Sequence, residues 1–280
     1  MVIFMRKIKR KLKWKNIFLL FIILICLILL IISIIDIINW KLDSNKIKNQ
    51  IEKIEDIVEI KEVIDNDKVE IIEPVEEIPQ FDPYWDYIKM NLINVDFNEL
   101  KNINYDTKGW IQVNGTNINY PFVQAKDNKY YLTHSFDKSY NGGGWVFLDY
   151  RNNINELSKN TIIYAHGRDD KTMFGSLKNI LNNGWLNNSN NYVVKLSTEY
   201  ENTLWQVFSV YRIPTTNDYI KVNFDSDEDF EKWTSMLINR STYKFNTSIN
   251  KSDNILTLST CYDDYDKVVL HAKLIKKETR

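Results

Sequence analysis

Two cysteines, Cys26 and Cys261, and three histidines, His134, His166 and His271, are all that the 280 residues offer for thiol–imidazole chemistry. Cys261 ends the run ILTLSTC (255–261). In an alternating strand Leu256 and Leu258 share one face, and Thr257, Ser259 and Cys261 share the other. The next run, KVVLHAKLI (267–275), repeats the pattern: Val268, Leu270, Ala272 and Leu274 on the apolar face, Lys267, Val269, His271 and Lys273 opposite. A thiol and a cation therefore flank one loop, both off the core side. A small buried hydrophobe is the competing reading of a lone cysteine, and pattern alone leaves it open. A nucleophile must be the thiolate, and an unassisted thiol of pKa ~8.5 is only a few per cent ionised at neutral pH, so a partner is needed. His166 closes NTIIYAH just before Gly167, at a strand end like Cys261. His271 lies mid-strand and reads as a barrel-surface residue. His134, in YYLTHSF, reads as packing. His166 is the favoured partner. Asp263 reads as a solvated loop acid, with orientation of His166 as the alternative.

The elements that must carry these residues are short. GWIQV, INYPFVQ, GWVFLD, NTIIYAH, NYVVKLS, LWQVFSVYRI, ILTLSTC and KVVLHAKLI give about eight strand-like runs between turn signals, which suggests a closed barrel or sandwich rather than alternating β and α units. Short helices are expected over Tyr84–Asn91 and Phe97–Asn102. One late helix interrupts the strands at DSDEDFEKWTSMLINRS (225–241), with acids in its first turn and Arg240 at its end.

Net charge is −1, which gives no reason to expect a nucleic-acid partner. The charge is divided unevenly. Arg6, Lys7, Lys9, Arg10, Lys11, Lys13 and Lys15 form a basic block; the 36 basic residues less these seven leave 29 against 37 acids. Ile17–Ile35, IFLLFIILICLILLIISII, is uncharged and of membrane-spanning length. Basic residues on its N-terminal flank place that end in the cytoplasm and the rest outside, as in a signal anchor. Cys26 lies inside this span, so Cys261 has no disulfide partner. Ile47, Ile51, Ile54 and Val58 form a helical stripe, read as a stalk or self-associating helix, before Pro74, Pro79 and Pro83 mark a linker. The expected divisions are a cytoplasmic tail (1–16), a transmembrane anchor (17–38), a stalk (39–80) and a catalytic domain (81–280).

TLSTC at 257–261, followed by KVVLHAKL, is similar to the active-site strand pair of class B sortases. KGWIQVNGTNINYPFVQAKDNKYYLTHSF, GGWVFLDYRN, NTIIYAHGRDDKTMFGSL and DYIKVNFDSDEDFEKWTSMLINRS resemble class B segments in the family's order, from about Tyr84 to Lys277. The resemblance implies a closed eight-stranded sortase-type β-barrel with N-terminal helices and one helix between the sixth and seventh strands. It also implies a cysteine transpeptidase of Gram-positive surfaces. Such enzymes cut a C-terminal sorting motif of the Asn-Pro-x-Thr kind after its threonine, hold the acyl group on cysteine and pass it to a cell-wall amine. Carried across, Cys261 is the nucleophile and His166 the acid and then the base, the competent pair being thiolate and imidazolium. The family's third catalytic residue is an arginine at the start of the last strand; here that position is Lys267, after a loop shorter than usual. Lysine keeps the charge and loses the planar fork. Either Lys267 serves, or another arginine such as Arg212 or Arg168 reaches in, or activity is weakened. Asn128, Leu132, Thr215, Tyr219, Ile220 and Ser259 match the family's substrate groove. The implied partners are secreted proteins with a C-terminal sorting signal, a peptidoglycan precursor or other amine, and the membrane.

Two rival readings remain. The L,D-transpeptidases are another group of cell-wall cysteine enzymes, but their signature puts glycine directly before the cysteine, where Thr260 stands. A membrane-tethered peptide-binding module with weakened catalysis is the other. No glycine loop for phosphate and no ligand cluster with metal spacing is present, so no cofactor or metal is expected.

Overall fold

The computed structural model describes residues 14–64, 67–74 and 77–280. Arg6 to Lys13 of the basic block therefore lie outside the described residues. The chain divides into two units, Met1–Asp43 and Ser44–Arg280. Helix α1 (Trp14–Ile57) contributes to both. Its apolar part is solvent-exposed and is long and apolar enough to be a candidate membrane span.

Within Ser44–Arg280 the elements are β1 (Ile60–Val63), β2 (Val69–Ile71), α2 (Tyr84–Tyr87), β3 (Leu92–Val95), α3 (Asn98–Ile103), β4 (Thr107–Val113), β5 (Asn119–Val123), β6 (Phe147–Leu148), β7 (Asn160–Tyr164), α4 (Asn183–Leu186), β8 (Val193–Thr198), β9 (Glu201–Pro214), α5 (Asp227–Arg240), β10 (Ile255–Cys261) and β11 (Asp266–Thr279). Strands β4 to β11 run in the order β10-β7-β6-β5-β4-β8-β9-β11, and pairing of β10 with β11 closes the ring. This is the expected eight-stranded barrel, with α5 between its sixth and seventh strands. Strand β2 extends the sheet at the far end of β11, and β1 pairs with β3.

The alternating faces fall as the sequence dictates. Leu256, Leu258, Val268, Leu270, Ala272 and Leu274 fill the barrel. Ile255 and Val269 face outward into a second core, where Phe230, Trp233 and Leu237 of α5 cover the wall. Ser226 caps α5 by accepting from the Asp229 amide (3.2 Å), and the acids Asp227, Glu228 and Asp229 complement its N-terminus.

Two expectations are corrected. The Ile47–Val58 stripe is no free stalk: Ile47 and Ile54 are buried in the barrel cluster and Ile51 and Val58 pack against it. Ser44 Oγ donates to Asp170 (2.5 Å) and Lys46 to the Tyr140 carbonyl (3.2 Å). The folded unit thus begins near Ser44 rather than Phe81, because an apolar stripe gains more by covering the barrel than by facing water. His271 lies off the barrel interior but away from solvent, under α5. Thr257 Oγ1 donates to Asn160 Oδ1 (2.7 Å), so its contact with His271 Nδ1 (2.9 Å) makes that nitrogen the donor; Nε2 then accepts from Tyr211 OH (2.8 Å). Burial, reinforced by the Arg240 charge, pushes this imidazole down to about 3, and it is held neutral. His134 packs as expected, stacked on Tyr130 at 4.0 Å between ring centres.

Candidate active site

The β10–β11 hairpin sets the first part of the site. Its register pairs Cys261 with Lys267 at the open end. Directly opposed residues project to the same side of a sheet, and Lys267 Nζ donates to Cys261 Sγ at 2.9 Å. Neither alternative arginine competes. Arg212 is clamped by Asp266 (Nε, 2.5 Å) and Asp263 (Nη2, 2.8 Å) and stacks over the Tyr262 ring at 3.8 Å. Arg168 is directed at Asp170 and Thr172 in the loop that receives α1. Asp263 also accepts from the Tyr265 and Asp266 amides (2.9 Å each), as a loop acid does. These amides and Arg212 hold its carboxyl below the usual carboxylate range.

His166 comes from the neighbouring strand. β7 and β10 run parallel, Ser259 opposite Tyr164, and Thr260 Oγ1 donates to the Ala165 carbonyl (2.8 Å). The next residues along the two chains are Cys261 and His166. Gly167 shows how tightly the chains close here: a Cβ on it would fall 2.0 Å from the Cys261 carbonyl oxygen. The imidazole Nε2 lies 2.8 Å from the Leu132 carbonyl, which can only accept, so Nε2 carries the hydrogen. Nδ1 has no protein partner among the described residues and is left for proton transfer.

Cys261, His166 and Lys267 share one open groove of about 440 Å³ with Asn128, Leu132, Thr215, Tyr219, Ile220 and Ser259. The three residues that the resemblance assigns to catalysis and the six it assigns to the groove therefore line one cavity, and Asp263, Arg212, Arg168, His134 and His271 lie outside it. The wall opposite the barrel is the segment after β9. Thr215 hangs from the hairpin through two hydrogen bonds to the Tyr265 carbonyl (2.9 Å each). Tyr219 OH meets Ser259 Oγ at 2.9 Å, and Asn160 Nδ2 donates to the Lys221 carbonyl (2.9 Å). Burial raises the Tyr219 phenol above its ordinary value, so it stays neutral.

A thiol touched by an ammonium, beside an imidazole, on a barrel closed in this order can be set against known proteins. Residues 111–275 match the Sortase domain family. Sortase B of Staphylococcus aureus is 34% identical over 188 residues, 66% of this chain and 76% of that protein. Sortase B of Listeria monocytogenes is 36% identical over 190 residues, 65% and 75% respectively. The chain belongs to the sortase family. Its likeness is to the class B members: the Clostridium perfringens sortase B crystal structure superposes with a TM-score of 0.60 at 37% identity, over 64% of this chain and all of that one. A Staphylococcus aureus sortase B–substrate complex gives 0.60 at 34% identity, over 64% and 84%. This is a family of cysteine transpeptidases.

Several parts of the sortase groove escaped sequence reasoning. Phe147, Tyr164, Thr216 and Asn217 also line it. Behind the groove, just beyond β6, Asp149 and Arg151 form a bidentate pair (2.8 and 2.7 Å) whose carboxylate is fully buried. The pattern D-x-R at the end of an apolar run was the available signal, but two charges of opposite sign one residue apart read as surface residues without a map of burial.

Proposed function

We propose that the chain is a membrane-anchored cysteine transpeptidase that cleaves a C-terminal sorting motif of the Asn-Pro-x-Thr kind and joins the acyl product to a cell-wall amine. The observation that carries this is the single groove holding Cys261, Lys267 and His166 together with six residues fit to grip an extended peptide. Relatives solved as a substrate complex and with a triglycine support a peptide acyl donor and an amine acceptor. The candidate membrane span preceding the folded unit supports an arrangement with the N-terminus cytoplasmic and the barrel outside. The domain reading becomes a tail (1–16), an anchor (17–38) and a catalytic unit that takes in the helical stripe.

In this mechanism the Cys261 thiolate attacks the carbonyl of the motif's threonine. The oxygen that becomes negative is bonded to the carbon under attack, so a cation already touching the sulfur reaches it by a rotamer change. Lys267 supplies that charge. His166 donates a proton to the departing amine as the carbon–nitrogen bond breaks, leaving a thioester on Cys261. The incoming amine loses a proton to His166, attacks the thioester and releases the thiolate. The Leu132 carbonyl, accepting from Nε2, turns Nδ1 toward these transfers.

Lysine in place of the family's arginine favours one second reading, a binding module with weakened catalysis. A test of both uses the full chain in detergent with a panel of sorting peptides and scrambled controls. An acyl adduct confined to Cys261, and its transfer to an added amine, is the expected result. Peptide binding without any adduct supports the module, and neither binding nor adduct overturns the proposal.

A further inference from the structure

We infer that Asp149 and Arg151 are positioning residues that brace the two walls of the groove against each other. This rests on reading the groove as the sorting-peptide site. The Asp149 side chain is fully buried at the end of β6. It accepts from Arg151 Nε (2.8 Å), Arg151 Nη2 (2.7 Å), the Arg151 amide (3.0 Å), Tyr164 OH (2.9 Å) and Asn128 Nδ2 (2.9 Å). Burial opposes its ionisation, but these donors, Arg151 first, outweigh it and hold the carboxyl below the usual range.

Three of the groups gathered on this ion pair belong to the groove. Asn128 and Tyr164 line it from the barrel side. The Asn128 amide is fixed at both ends, because its Oδ1 accepts from the Tyr150 amide (3.0 Å) while its Nδ2 donates to Asp149. Ile220 lines the opposite wall, and its carbonyl accepts from Arg151 Nη2 at 3.1 Å. One guanidinium thus joins the barrel wall to the segment after β9. The segment keeps other ties: Thr215 to the Tyr265 carbonyl, Tyr219 OH to Ser259 Oγ (2.9 Å), Asn160 to the Lys221 carbonyl (2.9 Å), and Trp233 Nε1 and Arg240 to Asp218. Loss of Arg151 therefore leaves the segment attached but releases Ile220 and loosens the Asp149 anchor of Asn128 and Tyr164, which face it across the groove. Neither Asp149 nor Arg151 lines the groove itself, so they affect how the peptide is held and leave the chemistry at sulfur alone.

The test measures kcat and KM for sorting-peptide cleavage by the full chain in detergent, alongside the rate at which iodoacetamide labels Cys261. Arg151→Gln is expected to raise KM about tenfold or more, the worth of one charge-assisted hydrogen bond, with kcat and labelling within about twofold. Arg151→Lys keeps a charge opposite Asp149, and so keeps the fold, but one ammonium cannot serve both carboxylate oxygens and the Ile220 carbonyl. Its KM should lie between the two, and it decides the matter if Arg151→Gln does not fold. Wild-type KM in Arg151→Lys and Arg151→Gln overturns the brace, as does a fall in kcat and labelling in step with the rise in KM. A wild-type chain that cleaves no sorting peptide overturns the proposed function, and the brace with it.

Discussion

Replacing Lys267 with methionine removes one positive charge from the sulfur and keeps an unbranched chain of similar reach. The contact is 2.9 Å long. Unit charges at that distance attract by about 1.4 kcal/mol in a water-like dielectric and by about 6 kcal/mol at an effective dielectric near 20. The groove is open on one side and walled by Tyr219, Ile220 and Leu132 on the others, so the true value lies between these limits. Loss of a single oxyanion donor in other enzymes costs about 2.7–4 kcal/mol, within the same interval. Lys267→Met should therefore lower kcat/KM for a sorting peptide about 10²- to 10³-fold. Lys267→Arg should stay within about tenfold of wild type, because the charge remains at the same hairpin position. Arg212→Ala should change little, since its guanidinium is held away by Asp263 and Asp266. Steady-state cleavage, with intact mass to follow the acyl adduct, reads all three. Wild-type kcat/KM in Lys267→Met, or a collapse in Arg212→Ala, would refute the assignment of the cation.

Three further expectations concern the frame. Gly167→Ala sets a methyl 2.0 Å from the Cys261 carbonyl oxygen; thermal unfolding and peptide cleavage should both show a loss, of about 1–3 kcal/mol in stability. Ile54→Ala empties a site that is 3% exposed and should cost about 2–5 kcal/mol in urea unfolding, whereas on a free stalk alanine would be neutral or helix-favouring. His271 has a folded value near 3 against an ordinary 6.5, so its contribution is complete above pH 6.5 and is lost as the pH falls toward 3. Unfolding free energies at pH 6.5 and 4.5 should fall more steeply for wild type than for His271→Gln, by at most about 1.4 kcal/mol per pH unit.

What was legible in the sequence follows from which faces are dry. The period-two pattern of 255–261 and 267–275 placed Cys261 and Lys267 correctly, because one face of each strand fills the barrel. A four-residue loop, 262–265, then left little choice of register. The parallel pairing of β7 with β10 is a contact between residues 95 apart, and no local pattern encodes it; only the shared strand-end position pointed from Cys261 to His166. The stripe Ile47–Val58 was seen as apolar, but the surface it covers is formed by later strands, so its partner was invisible. His271 was placed on the right side of its strand and in the wrong medium. The cover is α5, whose Phe230, Trp233 and Leu237 at helical spacing announced a second buried face. Asp149 and Arg151 needed a knowledge of burial that composition does not carry.

The hairpin loop and Lys267 work as one unit. The Tyr262 amide donates to the Asp266 carbonyl (2.8 Å), Asp263 gathers two amides of the loop, and Arg212 clamps Asp263 to Asp266. Thr215 hangs the groove wall from the same loop at the Tyr265 carbonyl. Position 267 is thereby held opposite Cys261, with Cβ atoms about 4.5–5.5 Å apart as in any cross-strand pair. An arginine fork earns its advantage where a cation must find a carbonyl from a loosely placed backbone. Where the backbone already aims the side chain, a point charge on a flexible stem reaches both the sulfur and the oxygen beside it. Inserting Gly-Ser after Asp264 should therefore loosen the Lys267–Cys261 contact and lower kcat/KM toward the Lys267→Met value. In that longer loop Lys267→Arg should restore more activity than it does in the native hairpin. Equal effects of arginine in both loops, measured by peptide cleavage, would show that loop length and the choice of cation are unrelated.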